Sequence, residues 1–122
     1  MRVAVDTNAL MMPVECDVRL FDELDRLLDG YEAVVPETVV AELEKLADGN
    51  GEEAVAASVG HDLADRCTVV STDAEYADDA VLELARDCAY AVTNDRPLRR
   101  RLAEADVPVI CLRSGTKLAI PN

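Results

Sequence analysis

The chain predicts an α/β fold in which a parallel sheet lies between two layers of helices. Three observations carry that expectation. Short aliphatic runs recur along the sequence, apolar stripes at helical spacing fill the stretches between them, and most runs end abruptly at polar or acidic residues. Strands that alternate with helices in this way pair in parallel through right-handed crossovers. Half of the 122 residues are hydrophobic but only four are aromatic, so the core must be aliphatic. That length suits one domain spanning 1–122.

The first run, Arg2 to Val5, reads as a buried strand ending at Asp6. A loop containing Pro13 should follow. Val18, Leu20, Phe21, Leu24, Leu27 and Leu28 then form one helical stripe, with Asp17 as its N-cap and Gly30 as its stop. Tyr31 to Val35 is a second strand, closed by Pro36. A helix from about Thr38 buries Val39, Val40, Leu43, Leu46 and Ala47, and Glu52 to Arg66 is a further helix weakened by Gly60. Thr68 to Ser71 is a third strand. Asp78 to Cys88 is helical, with Val81, Leu82, Ala85 and Cys88 facing inward. Tyr90 to Thr93 is a fourth strand. A basic helix begins near Pro97, which suits a first helical turn, and runs to Ala105. Val107 to Leu112 is the fifth strand, and the tail from Arg113 adds at most a short extension.

Ligands of open α/β sheets bind beyond the carboxyl ends of the strands, where the strand order reverses. Asp6 ends the first strand, with Thr7 and Asn8 beside it as hydrogen-bonding partners; Thr93, Asn94 and Asp95 end the fourth. Asp78 and Asp79 open a helix, and Glu42 and Glu44 lie one turn into another, so four connections deliver acids to the same edge. Several carboxylates in one crevice repel each other unless a cation neutralises them. With no histidine or cysteine nearby, the donor set selects a hard, oxygen-seeking ion, Mg²⁺ or Mn²⁺. On a helical wheel Asp78 shares the face of Val81, Leu82 and Ala85 and leans towards Asp6, whereas Asp79 is turned about 100° away, in a more exposed direction. The wheel does not separate Glu42 from Glu44.

The formal charge is −13, yet it is segregated. Residues 96–122 carry six basic and two acidic side chains, a local charge of +4, against −17 for the rest. Arg96, Arg99, Arg100 and Arg101 form most of that basic end and point to a phosphate-bearing partner; the competing reading is a cationic helix face that pairs with surplus acids. Acids, a divalent ion and an arginine patch together read as phosphodiester hydrolysis. The acidic surface, with two lysines against ten arginines, suggests adaptation to high internal salt. No apolar run reaches the ~20 residues of a membrane span and no leader pattern precedes Asp6, so a cytoplasmic location is expected. Cys67, Cys88 and Cys111 read as small buried hydrophobes, and Cys16 completes no Cys-x-x-Cys pair. His61, the only histidine, sits in a polar helical stretch and reads as a surface residue, which leaves catalytic triads poorly supported.

Four segments resemble the PIN-domain nucleases: Val5-Asp6-Thr7-Asn8, Val39 to Leu46, Tyr76-Ala77-Asp78-Asp79 and Val92-Thr93-Asn94-Asp95, in that order. The arginine-rich helix and the following Val107-Pro108-Val109-Ile110 look most like the branch holding the eukaryotic small-subunit rRNA-processing endonuclease and its archaeal relatives. The resemblance implies a five-stranded parallel sheet, RNA cleavage dependent on Mg²⁺ or Mn²⁺, and catalytic, metal-binding acids at Asp6, Glu42, Asp78 and Asp95. It also prefers Glu42 to Glu44. Thr7, Asn8, Asp79, Thr93 and Asn94 would support the site, and Arg96, Arg99, Arg100 and Arg101 would hold RNA. Two departures stand out. Pro97 occupies a position where many members carry a further acid, which predicts a weak second metal site, and the basic N-terminal extension of the eukaryotic members is missing.

The partners implied are RNA, a ribosome precursor, an antitoxin protein or a second copy of the chain. The competing readings are a VapC-type toxin ribonuclease with the same chemistry, a non-catalytic PIN module that binds RNA or protein, and a receiver-like or phosphatase-like acidic pocket. Against a receiver, Lys117 falls beyond the last strand rather than at its end.

Overall fold

The computed structural model describes residues 1–121. The chain forms β1 (Arg2–Val5), α1 (Thr7–Glu15), α2 (Leu20–Leu27), β2 (Glu32–Pro36), α3 (Glu37–Ala47) and α4 (Gly51–Leu63), which tightens into a 3-10 turn over Ala64–Arg66. It continues with β3 (Thr68–Val70), α5 (Ala77–Ala85), β4 (Tyr90–Val92), α6 (Arg96–Glu104), β5 (Val109–Ser114) and β6 (Lys117–Ala119). The strands lie in the order β3-β2-β1-β4-β5-β6. The first five pair in parallel and β6 is antiparallel to β5. The architecture is the expected three-layer α/β/α sandwich, with six strands in place of five.

The order reverses at β1, which has β2 on one side and β4 on the other. Val5 is opposite Val92 in register, so Asp6 and Thr93 emerge side by side at the same edge. Val3, Ala4, Val5, Val34, Val35, Ala91, Val92 and Ile110 are all buried, as strands covered on both faces require.

Four expectations need correction. The segment after β1 is a helix and not a loop: Ala9, Leu10, Met11 and Met12 are buried along α1 despite Pro13. A proline in the last turn removes one helical hydrogen bond, and burial of that apolar run outweighs the loss. Asp17 does not cap the next helix, because it adopts a left-handed φ of 53° and α2 starts only at Leu20, behind Arg19.

Gly60 marks close packing rather than weakness. A Cβ there would stand 2.8 Å from the Leu10 carbonyl oxygen, so only glycine lets α4 lie this close to α1. The sixth strand was hidden by a charge within an apolar stripe. Glu23 of α2 is buried, pairs with Arg26 at 2.8 Å and accepts the Leu118 N–H at 2.9 Å, which fastens β6 to α2. The Arg26 hydrogen bond holds the Glu23 carboxyl down at about 2. Cys111 alone of the four cysteines is fully buried; the other three are half-buried and all are free thiols. No helix among the described residues is long and apolar enough to cross a membrane.

Candidate functional site

Asp6 is the centre of the sheet edge. It is only 3% exposed and serves as the N-cap of α1, accepting the Ala9 N–H at 2.7 Å on Oδ1. The Thr93 hydroxyl, buried at the end of β4, donates to Oδ2. The same hydroxyl accepts the Asp95 N–H at 3.1 Å, so one threonine orients two acids. Asn8 Oδ1 accepts the Asn94 N–H at 2.9 Å and ties the start of α1 to the end of β4. Asp95 in turn caps α6, accepting the Leu98 N–H at 3.0 Å.

These contacts stabilise the Asp6 anion, yet burial wins. Desolvation pushes its carboxyl from 3.8 up to about 7, against the lowering effect of Thr93 and Ala9 and with further upward pressure from Asp78 and Asp95. Asp78 is raised as well, first by burial and then by Asp95, while Arg101 pulls it down. The direction of both shifts is that of carboxyls gathered without a counter-ion.

A cleft of about 520 Å³ opens over this edge, lined by Asp6, Thr7, Asn8, Glu42, Asp78 and Asp95. All four sequence-selected acids are thus brought together, and Glu42 is separated from Glu44, which the helical wheel left equivalent. Asp78 faces the cleft and Asp79 turns to α6, where its Oδ1 meets Arg101 Nη2 at 2.8 Å. The expectation that Asp79 would be the more exposed acid fails: Asp78 is exposed in the cleft and Asp79 is half-buried under the arginine. The inward face of α5 is Ala80, Val81, Leu84 and Ala85, with Leu82 only half-buried. The residues missed from the sequence are Glu15 and Glu53 on the cleft rim and Tyr76 beside Asp78. Glu15 ends a helix read as loop, and nothing in the pattern around Glu53 sets it apart from the other surface acids.

The donor set is all oxygen, as a hard divalent cation requires. The Thr7 hydroxyl adds a buried polar group on the cleft with no hydrogen-bond partner among the described residues. No three His, Cys, Asp or Glu side chains among them are already drawn together in a metal-holding geometry. Glu42 and Asp78 are exposed and free of ion pairs there, so both carboxylates can turn inward. The chemistry of the site fits an ion; closing around it takes side-chain rotation.

A parallel α/β sheet that collects acids at the point where its strand order reverses defines a protein with a carboxylate cleft suited to a hard divalent cation. Residues 3–115 match the family described as PIN like domain. The chain belongs to that family, and with it to the PIN-domain nucleases.

Among curated proteins it is 29% identical over 118 residues to ribonuclease VapC4 of Methanocaldococcus jannaschii, covering 92% of this chain and 90% of the relative. The PIN domain endonuclease Utp24 superposes with a TM-score of 0.77 at 23% identity, over 98% of this chain and 90% of Utp24. VapBC2 from Rickettsia felis, solved bound to a DNA fragment from its promoter, gives 0.68 at 13% identity, over 93% and 100%. At these identities the two structures speak for the fold alone.

Proposed function

We propose that the chain is an endoribonuclease that hydrolyses RNA phosphodiester bonds with the help of Mg²⁺ or Mn²⁺. The observation that carries this reading is the convergence of Asp6, Glu42, Asp78 and Asp95 on one cleft at the β1–β4 switch. In this reading those four acids hold the cation, with Asp6 at its centre. When bound, a divalent ion supplies activation of water and neutralisation of charge building on the phosphate.

The chain's own residues do the positioning. Thr93 and the Ala9 N–H fix the Asp6 carboxylate in one orientation, so little reorganisation remains on binding. The Asn8–Asn94 contact keeps the acids of β1 and β4 at a constant separation. Asp79 supports the site indirectly by engaging Arg101, which holds α5 against α6. Arg96, Arg99 and Arg100 are the remaining candidates to hold RNA phosphates. Pro97, in the first turn of α6, leaves no acid at that position for a second cation.

The likeness to ribonuclease VapC4 favours one second reading, a toxin ribonuclease restrained by an antitoxin. A role on ribosomal precursor RNA rests on the sequence resemblance alone. Both roles share the chemistry and one test. The purified protein is incubated with total RNA at high salt, with Mn²⁺ or with EDTA. Discrete fragments with Mn²⁺ and intact RNA with EDTA are expected; equal degradation in both arms, or none in either, refutes the proposal.

A further inference from the structure

A second groove, of about 550 Å³, runs along α6. Arg96, Arg99, Arg100 and Ala103 form one wall; Val107, Pro108, Val109 and Pro121 form the other. The spacing of the first wall is i, i+3, i+4, i+7, a single helix face about 10 Å long. It starts at Arg96, the residue after Asp95 of the acid cleft, and runs along α6 away from that edge, towards Val107–Val109 at the start of β5.

The groove is conspicuous for its charge. In a chain of formal charge −13, none of these three guanidinium groups is ion-paired with an acid among the described residues. Arg101 alone of the four neighbouring arginines is neutralised, by Asp79. The other rim of the acid cleft is its opposite: Glu15 of α1 and Glu53 of α4, neither of them among the four central acids. A polyanion lying across the cleft therefore meets attraction on the α6 side and repulsion on the side of α1 and α4.

Resting on the nuclease reading, we propose that RNA is engaged on one side only. A short single-stranded flank, on one side of the scissile phosphate, lies in the α6 groove with its phosphates on Arg96, Arg99 and Arg100. On the other side the strand leaves the protein almost at once. The groove wall is aliphatic and contains no aromatic ring. Bases have no platform on which to stack there, so the flank is held by its sugar–phosphate backbone and its sequence is not read.

Two measurements test this. The first is binding of a randomised single-stranded RNA 20-mer in EDTA over a range of salt. Arg99→Gln/Arg100→Gln should lower the slope of log K against log salt by about 1.4, at roughly 0.7 per phosphate contact. Arg100 is exposed and Arg99 half-buried, and an unchanged melting temperature confirms the fold of the variant. The second is the distribution of Mn²⁺-dependent cuts in the same 20-mer labelled at either end. Cuts should approach one end of the RNA closely and stop several nucleotides short of the other, and the variant should lose that asymmetry.

An unchanged salt slope overturns the proposal and means that the groove takes another occupant, such as an acidic peptide. Cuts excluded equally from both ends overturn it too. In either case cleavage of total RNA still supports the nuclease reading. Arginine-dependent RNA binding without any cleavage does the reverse, refuting the nuclease while leaving the groove.

Discussion

Replacing Asp6 by asparagine should make the metal-free protein more stable while destroying its function. The Asp6 carboxyl ionises near pH 7 in the fold and near 3.8 as an ordinary carboxylate. The native state therefore binds the extra proton between those values, and its stability falls as pH rises from about 4 to about 7, then levels off. At pH 8 the whole cost is present. Moving a carboxyl from 3.8 to about 7 corresponds to a cost of about 4 kcal/mol. Asparagine keeps the cap on Ala9, being as good an N-cap as aspartate, and its amide can donate to Thr93 in place of accepting. Some of the gain is lost in that rearrangement, so a net stabilisation of about 1–3 kcal/mol is expected at pH 8. In a chain of this size that raises the melting temperature by roughly 3–10 °C. The assay is thermal or urea unfolding of both proteins in EDTA at pH 5 and pH 8, repeated with Mn²⁺. The variant's advantage should shrink at pH 5. Mn²⁺ should raise the midpoint of the wild type only, since an ion that binds the native state alone stabilises it by mass action. A variant less stable than the wild type at pH 8 in EDTA would show that the buried anion is well compensated and that the site holds no electrostatic strain.

Two further outcomes follow from the helices around Asp6. Asp78→Asn should remain folded and lose metal-dependent RNA cleavage by tenfold or more, about 1.4 kcal/mol of barrier, whereas Asp79→Asn should keep most of it and lose only the half-buried pair with Arg101. Assays of both variants on total RNA check this, and an inactive Asp79→Asn beside an active Asp78→Asn would reverse the assignment. Gly60→Ala gains about 1 kcal/mol of helix propensity but places a Cβ 2.8 Å from the Leu10 carbonyl oxygen. Overpacking of about 1–3 kcal/mol should prevail and lower the melting temperature; a higher one would mean that α1 and α4 are not locked there.

The parts of the fold that were legible in the sequence are those where one signal dominates. β1, β2 and β4 each carry a short buried aliphatic run (Val3–Val5, Ala33–Val35, Ala91–Val92), and the pairing of β1 with β4 placed Asp6 beside Thr93 as the sheet rule requires. The features that escaped detection are those in which a local rule is overridden by packing. Pro13 argues against a helix over Thr7–Glu15, and only the burial of Leu10, Met11 and Met12 shows that tertiary contacts outweigh it. Gly60 looks like a weak point until the Leu10 carbonyl opposite it is known. Glu23 looks like a surface acid until Arg26 and the Leu118 N–H are brought to it, and β6 could not be read without that contact. In the site, the helical wheel turned Asp78 to the cleft but could not foresee that Arg101 would cover its neighbour. Distinguishing Glu42 from Glu44 needed the direction of α3 relative to the sheet, which no single helix contains.

One such conflict lies in the site itself. Asp6 follows a buried strand and caps a helix that contains a proline. Its two hydrogen bonds are those a sequence would choose to stabilise an anion, yet its pKa moves the other way. A cap required only for folding would be better placed at the surface, where desolvation costs nothing and the same hydrogen bond forms. Burying the acid under Asp78 and Asp95 therefore sacrifices stability for geometry. Conflicts of this kind between local preference and global fold are expected at functional sites, where position counts for more than stability. The backbone that holds Asp6, Asn8 and Asp95 is already fixed by Thr93 and Asn94. Glu42 and Asp78, by contrast, present exposed carboxylates with no ion pair among the described residues, and in the proposed reading these are the two groups that turn inward towards a cation.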